Sequence, residues 1–198
     1  EKTFLQTHHL PHAPFQVINT EADLAAVRHR PELIPGILKT AEQGYDGKGQ
    51  AVIHSYEDLL LAWQKMGKQP AVLEQKLPLS AEISVVLART TQGEVATYAP
   101  VENRHKNGIL DITIAPVQAL VCSEHLQHEA TQIAAQIAEL LDYVGVMAIE
   151  FFICSNQLLL VNELAPRPHN SGHVTLDNGA CSQFEQQVRA VCGLTLGA

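Results

Sequence analysis

Two carboxylates stand where carboxylates are costly. Glu150 interrupts the run Val146-Met147-Ala148-Ile149-Glu150-Phe151-Phe152-Ile153, and Glu163 interrupts Leu158-Leu159-Leu160-Val161-Asn162-Glu163-Leu164. Each run is apolar enough to be a buried strand, and Ser155-Asn156-Gln157 between them reads as a hairpin turn. A hairpin centred between Asn156 and Gln157 pairs Cys154 with Leu159, Phe152 with Val161 and Glu150 with Glu163. Directly opposed residues share a face, with Cβ atoms roughly 5 Å apart. Two carboxylates so placed repel, and burial worsens the repulsion, so either one takes a proton or a cation sits between them. A divalent ion with oxygen ligands, Mg²⁺ or Mn²⁺, shared with phosphate oxygens, satisfies both charges. The alternative is that each glutamate pairs with a nearby Lys or Arg, or that a one-residue slip in register sends the two to opposite faces.

Three further stretches combine residue types that bind anions or nucleotides. In Lys39-Thr40-Ala41-Glu42-Gln43-Gly44-Tyr45-Asp46-Gly47-Lys48-Gly49-Gln50, three glycines free the backbone to curl and offer N–H groups to an anion, with Lys39 before the loop and Lys48 inside it. No Gly-Lys-Ser/Thr closes it, so it is not a P-loop, and an ordinary polar hairpin loop is the alternative. In Asn162-Glu163-Leu164-Ala165-Pro166-Arg167-Pro168-His169-Asn170-Ser171-Gly172-His173, a carboxylate strand runs into a loop rich in donors. The planar fork of Arg167 suits phosphate or carboxylate, and His169 suits donation to an anion or proton movement. A solvated loop stiffened by two prolines is the alternative. In Val72-Leu73-Glu74-Gln75-Lys76-Leu77, an apolar strand could pair its backbone with an adenine edge, and Glu82 beyond it could accept from ribose hydroxyls. A plain strand followed by a surface acid explains the same residues.

The elements that must position these groups alternate in type. Helical periods cover residues 56–66 after Ser55 and 123–143, with shorter helices at 21–29 after Thr20 and 183–191 before Gly193. Lys2-Thr3-Phe4-Leu5 also reads as helix. Short strands are expected at 36–40, 51–53 and 71–75. Residues 82–91 and 94–101 flank Gln92-Gly93 as a hairpin, 109–115 continues the meander, and 146–153 and 158–164 form the last hairpin. Long hairpins with interspersed helices make an α+β chain rather than a strict βαβ alternation. Pro78-Leu79-Ser80-Ala81 is the expected joint between a smaller lobe, 1–77, and a larger one, 78–198.

In this order, strand lysine, Gly-rich loop, acidic hinge, long helix and paired carboxylates, the segments resemble the ATP-grasp fold, in which two α+β lobes with largely antiparallel sheets enclose Mg-ATP. Five local sequences narrow the resemblance. They are Gly44-Tyr45-Asp46-Gly47-Lys48-Gly49-Gln50; Val101-Glu102-Asn103-Arg104-His105 with Gly108-Ile109-Leu110; Tyr143-Val144-Gly145-Val146-Met147-Ala148-Ile149-Glu150; Asn162 through His173; and Ser182-Gln183-Phe184-Glu185-Gln186. Together they look like the 5-(carboxyamino)imidazole ribonucleotide synthases of purine biosynthesis.

That resemblance implies an ATP-dependent carbon–nitrogen ligase. It would carboxylate aminoimidazole ribonucleotide with bicarbonate through carboxyphosphate, releasing ADP and phosphate. Lys39 matches the lysine on the ATP phosphates, Glu74, Gln75, Lys76 and Leu77 the adenine hinge, Glu82 the ribose acid, and Glu150 and Glu163 the Mg²⁺ (or Mn²⁺) ligands. Tyr45, Asp46 and Lys48 match positions that meet the imidazole ribonucleotide. Arg167, His169 and Asn170 match the bicarbonate and ribonucleotide end, with Arg167 stabilising anions. It further implies a cytoplasmic homodimer with flanking N- and C-terminal domains outside this chain. One departure is Ala41-Glu42-Gln43, where the family carries basic residues and another glycine.

Composition bounds the other possibilities. The 198 residues carry 13 Lys and Arg against 21 Asp and Glu, a net charge of −8, which disfavours nucleic-acid wrapping and polybasic membrane binding. No apolar run approaches the ~20 residues of a membrane span. Cys122, Cys154, Cys181 and Cys192 lack CxxC spacing and read as free thiols of a reducing compartment. The rivals are another ATP-grasp carboxylate–amine ligase, which would keep Lys39, Glu150 and Glu163 but replace the 167–173 run, and a nucleotide-binding module inactive by itself.

Overall fold

The computed structural model describes residues 1–41, 49–106, 108–177 and 181–197. A short helix, α1 (Lys2–Thr7), leads into strand β1 (Phe15–Ile18) and helix α2 (Glu21–Ala26). Thr20 and Asp23 exchange side-chain and backbone bonds in a capping box that starts α2, and a 3₁₀ turn at Val27–His29 completes the stretch expected as one helix. Strands β2 (Gly36–Thr40) and β3 (Gln50–Ile53), helix α3 (Tyr56–Lys65) and strand β4 (Ala71–Gln75) follow. Ser55 caps α3 by accepting from the Asp58 N–H, and Gly67, at φ +73°, ends it. The four strands form an antiparallel sheet in the order β1-β4-β2-β3. Leu24, Leu59 and Trp63 of the helices pack on Ile18, Leu38 and Leu73 of the sheet. Each fully buried aliphatic side chain there contributes about 1.5–3 kcal/mol.

The second sheet begins with an eleven-residue strand, β5 (Leu79–Arg89). Strands β6 (Val95–Thr97), β7 (Val101–Lys106) and β8 (Ile109–Ile114), helix α4 (Glu124–Leu140), strands β9 (Gly145–Cys154) and β10 (Leu159–Ala165), a 3₁₀ helix (Asn170–Leu176) and helix α5 (Gln183–Val191) complete the chain. The strand order is β10-β9-β5-β7-β8, with β6 also on β5. The expected single strand over 94–101 is two pieces. β6 pairs with the C-terminal end of β5 and β7 with its N-terminal end, and Pro100, which lacks an N–H, stands between them. The long helix ends at Leu140 rather than 143, because Asp142 turns left-handed (φ +46°) and the Tyr143 N–H closes on the Ala138 carbonyl.

Period-two alternation sorts the central strands. Ile83, Val85 and Leu87 of β5 and Met147, Ile149 and Phe151 of β9 face α4 in one core. Val86, Ala88, Val146 and Ala148 face the other way, with Ala190 of α5. Both faces are covered, so both strands read as continuous apolar runs. The polar residues Glu82, Ser84 and Glu150 continue that second face beyond the reach of α5. Leu5 and Leu10 belong to the α4 core, so the apolar side chains they bring from the start of the chain pack with the large sheet. No helix among the described residues is long and apolar enough to cross a membrane.

Candidate active site

The last hairpin differs from its expected register and still delivers the expected pair. Leu159, Leu160 and Val161 stand across from Ile153, Phe152 and Phe151, one residue off the pairing read from the sequence, because Gln157 turns left-handed (φ +64°) and shifts the turn. A bulge at Asn162 then absorbs one residue, and Glu163 pairs with Glu150.

The two carboxylates have opposite electrostatics. Burial pushes Glu150 up, but His169 Nε2, 3.2 Å from its Oε1, outweighs that with help from His105 and the Asn162 amide, and holds it below the usual range. Glu163 is pushed up, first by partial desolvation and then by the charge of Glu150. The repulsion expected between opposed carboxylates therefore falls on Glu163.

The donor set suits a hard cation. Asn162 Oδ1 is buried without a hydrogen-bond partner, between two carboxylate-bearing residues, so three oxygen donors come from one hairpin. Among the described residues no three His, Cys, Asp or Glu side chains converge. Completion of the shell by ligand oxygens, as Mg²⁺ takes them from phosphates, fits this incomplete set.

Lys39 on β2 sits 3.1 Å from Glu74 Oε1. Glu74 is 5% exposed and also holds Lys2 at 3.2 Å. Lys2 in turn donates to the carbonyl of Asn162 at 2.7 Å, so one buried ammonium ties the small sheet to the bulge beside the carboxylate pair. Burial pushes the Lys2 ammonium down, as does the charge of Lys39, against the pull of Glu74.

Part of the expected hinge backbone is already paired. Glu74 lies on β4, which is flanked by β1 and β2, and the N–H groups of Gln75 and Lys76 donate to the carbonyls of Pro14 and Pro35. Those N–H groups are spent within the protein, so a base at the hinge would meet other atoms of the 74–77 stretch. Glu82 stands 3.1 Å from His105 Nδ1, although the contact is out of hydrogen-bond alignment.

The expected donor loop after Glu163 is partly regular. Residues up to Ala165 are strand, and Asn170–Leu176 is a 3₁₀ helix capped by the His169 ring, which accepts from the Ser171 N–H. Gln183 clamps the His169 peptide from both sides, accepting from its N–H at 2.9 Å and donating to its carbonyl at 2.7 Å. Gly172 makes room for that clamp, since a Cβ there would stand 2.2 Å from Gln183 Oε1. Arg167 and Asn170 are exposed, and the Arg167 guanidinium donates to the Pro168 carbonyl. Tyr45, Asp46 and Lys48 lie outside the described residues. A cavity of about 320 Å³ borders Ser171 and Gly172, with Val86, Tyr98 and Pro116 in its apolar wall, and includes none of Lys39, Glu82, Glu150 or Glu163.

Lys2, Asn162 and His105 were not picked out from the sequence as site residues. Asn162 had a signal, as a second polar residue in an apolar strand. Lys2 had none, since a lysine in a short helix ordinarily faces water.

Two lobes of this build, with a strand lysine on one and an opposed carboxylate pair on the other, are matched by known proteins. The ATP-grasp domain family matches residues 3–184. The chain belongs to the ATP-grasp family. This ATP-grasp chain is 41% identical to N5-carboxyaminoimidazole ribonucleotide synthase of Bacillus subtilis, over all of this chain and 51% of that protein. The crystal structure of N5-carboxyaminoimidazole ribonucleotide synthetase from Thermus thermophilus is 43% identical, with a TM-score of 0.87 over 100% of this chain and 52% of the other. That of N5-carboxyaminoimidazole synthase from Aspergillus clavatus, in complex with ADP and 5-aminoimidazole ribonucleotide, is 27% identical, with a TM-score of 0.85 over 98% and 50%. This ATP-grasp chain thus spans about half the length of these relatives.

Proposed function

We propose that this chain is the ATP-binding centre of a ligase that carboxylates 5-aminoimidazole ribonucleotide with bicarbonate, releasing ADP and phosphate. The observation that carries the proposal is the Glu150–Glu163 pair, brought face to face by the Asn162 bulge, with Glu163 pushed up by desolvation and by the charge of Glu150. The likeness to proteins of that name, one of them complexed with ADP and 5-aminoimidazole ribonucleotide, supports the choice of substrate.

Each group has a physical task in this scheme. Glu150, Glu163 and the Asn162 side-chain oxygen Oδ1 would hold Mg²⁺, which supplies charge neutralisation at the phosphates when bound. Lys39 leaves Glu74 for the ATP phosphates, and the buried Lys2 keeps Glu74 neutralised when it does. Glu82 accepts from the ribose, and atoms of Glu74, Gln75, Lys76 and Leu77 meet the base. Phosphoryl transfer from ATP to bicarbonate brings two anions together, so positioning and fixed cations supply most of the catalysis. Arg167 stabilises the carboxyphosphate anion, and the exocyclic amine of the ribonucleotide takes its carboxylate. Tyr45, Asp46, Lys48, His169 and Asn170 line the ribonucleotide end. A cytoplasmic homodimer belongs to the same proposal.

The test is ADP release by the full-length protein with Mg-ATP. Release that requires both bicarbonate and 5-aminoimidazole ribonucleotide, and that vanishes in Glu150→Gln, is the expected result. Release indifferent to either co-substrate would overturn the assignment.

A further inference from the structure

A buried chain of polar side chains reaches Glu150 from behind. Asn103, Ser84 and Ser171 are 4%, 0% and 0% exposed. Asn103 Nδ2 donates to Ser84 Oγ at 3.0 Å, Ser84 Oγ lies 2.7 Å from Ser171 Oγ, and Ser171 Oγ lies 2.9 Å from His169 Nδ1. His169 Nε2 then meets Glu150 Oε1 at 3.2 Å. At the far end Thr113 Oγ1 donates to Asn103 Oδ1 at 3.3 Å, which turns the amide nitrogen toward Ser84.

The direction of this chain is set at its histidine end, where a backbone N–H, which only donates, is bonded to His169 Nδ1, so that Nδ1 carries no proton. An amide nitrogen only donates, so Ser84 Oγ accepts from Asn103. Because Nδ1 accepts, the single Ser171 hydroxyl proton goes to it, and the Ser84 proton is the one left to join the two hydroxyls. The Ser171 backbone N–H also donates to Nδ1, at 3.3 Å. Two donors converge on Nδ1, so the ring proton sits on Nε2, facing the carboxylate. Burying three such side chains is costly unless they are paired, and here every side-chain nitrogen and oxygen of the three has a hydrogen-bond partner. Gln183 already fixes the His169 backbone, leaving ring orientation and tautomer as the freedoms that the side-chain bonds remove.

We propose that Asn103, Ser84 and Ser171 are positioning residues: they hold His169 as an Nε2–H donor aimed at Glu150 and thereby fix the carboxylate presented to the cation. The proposal rests on Glu150 being a ligand of a Mg-nucleotide. Supporting partners of this kind orient metal ligands in general, and their loss weakens metal affinity.

The test uses the full-length protein with ¹⁵N-labelled histidine, the His169 ring signals being assigned by their loss in His169→Gln. Without ligand, Nδ1 is expected to give a pyridine-type signal and Nε2 a pyrrole-type one. Ser84→Ala cuts the chain without adding volume or charge, and Asn103→Asp replaces its terminal donor by an acceptor. Both variants are expected to average the two ring signals. Both should also raise the Mg²⁺ concentration for half-maximal ADP binding about fivefold, the effect of one hydrogen bond, with Mg²⁺-free ADP affinity unchanged. A proton on Nδ1 in the unsubstituted protein overturns the proposal. So do unchanged ring signals and unchanged Mg²⁺ dependence in Ser84→Ala, which decides alone if the buried charge of Asn103→Asp prevents folding. The expected tautomer in a protein that takes up no Mg-nucleotide supports the chain of bonds and removes the nucleotide assignment instead.

Discussion

Glu163 stands opposite Glu150 through a register correction: the strands run one residue out of step up to Val161, and the bulge at Asn162 brings the two carboxylates level. Without the bulge, a one-residue offset would send one of them to the α4 side of the sheet. The same bulge leaves the Asn162 side-chain oxygen buried and unpartnered and its main-chain carbonyl bonded to Lys2.

Glu150→Gln and Glu163→Gln should each lower Mg-nucleotide affinity by more than the roughly 10–100-fold that loss of a supporting group costs. Glu163→Gln should leave the ligand-free protein at least as stable at pH 7, because it removes a carboxylate pushed up by desolvation and by the charge of Glu150. Calorimetric titration and thermal unfolding check the two halves. Unchanged Mg-nucleotide affinity in both variants would sink the paired-carboxylate assignment.

Lys39→Ala should weaken ATP by roughly 10–100-fold, the worth of a charge-assisted bond, and AMP far less. Glu74 keeps Lys2 in this variant, so the fold should hold. Equal loss for both nucleotides would make Lys39 a structural partner of Glu74 only.

Lys2→Met should destabilise the protein by about 3 kcal/mol, since it leaves Glu74 with one partner and uncovers the Asn162 carbonyl. The midpoint of urea unfolding measures it. A midpoint unmoved from the unsubstituted protein would mean that Lys39 alone neutralises Glu74.

The His105–Glu82 contact should make stability depend on pH. Glu82 raises the His105 imidazolium above its ordinary 6.5, against the effect of burial. A raised cationic group contributes fully below the unfolded value, and its contribution is lost as pH rises through the folded one. The difference between the unsubstituted protein and His105→Gln should be about 0.5–1 kcal/mol at pH 6 and vanish by pH 9. A difference that grows with pH would reverse the assigned cause.

Gly172→Ala should displace Gln183, whose Oε1 would lie 2.2 Å from the new Cβ, at a cost of about 1–3 kcal/mol. Because Gln183 holds the His169 peptide, Mg-nucleotide binding should weaken with it. Thermal unfolding and titration of the same sample show whether the two losses travel together.

Local chemistry was legible in the residues themselves. Caps at Thr20 and Ser55 start the helices they were expected to start, because a hydroxyl three residues before a free N–H acts over one turn. Glu150 and Glu163 announced themselves by charge in apolar runs, and the motifs around them carried the family. Long-range facts left no such trace. Lys2 lies 160 positions from Asn162, so no local pattern marks it as buried. Ser84, Asn103 and Ser171 meet across two strands and a 3₁₀ turn, and a small polar residue on a strand reads the same whether it faces water or a partner. The bulge at Asn162 depends on the tertiary packing of its hairpin, for the turn at Gln157 shifts the register and only the fit of β10 against β9 shifts it back. Side-chain type and short-range spacing are properties of the chain, whereas burial and register are set by contacts between residues far apart in it.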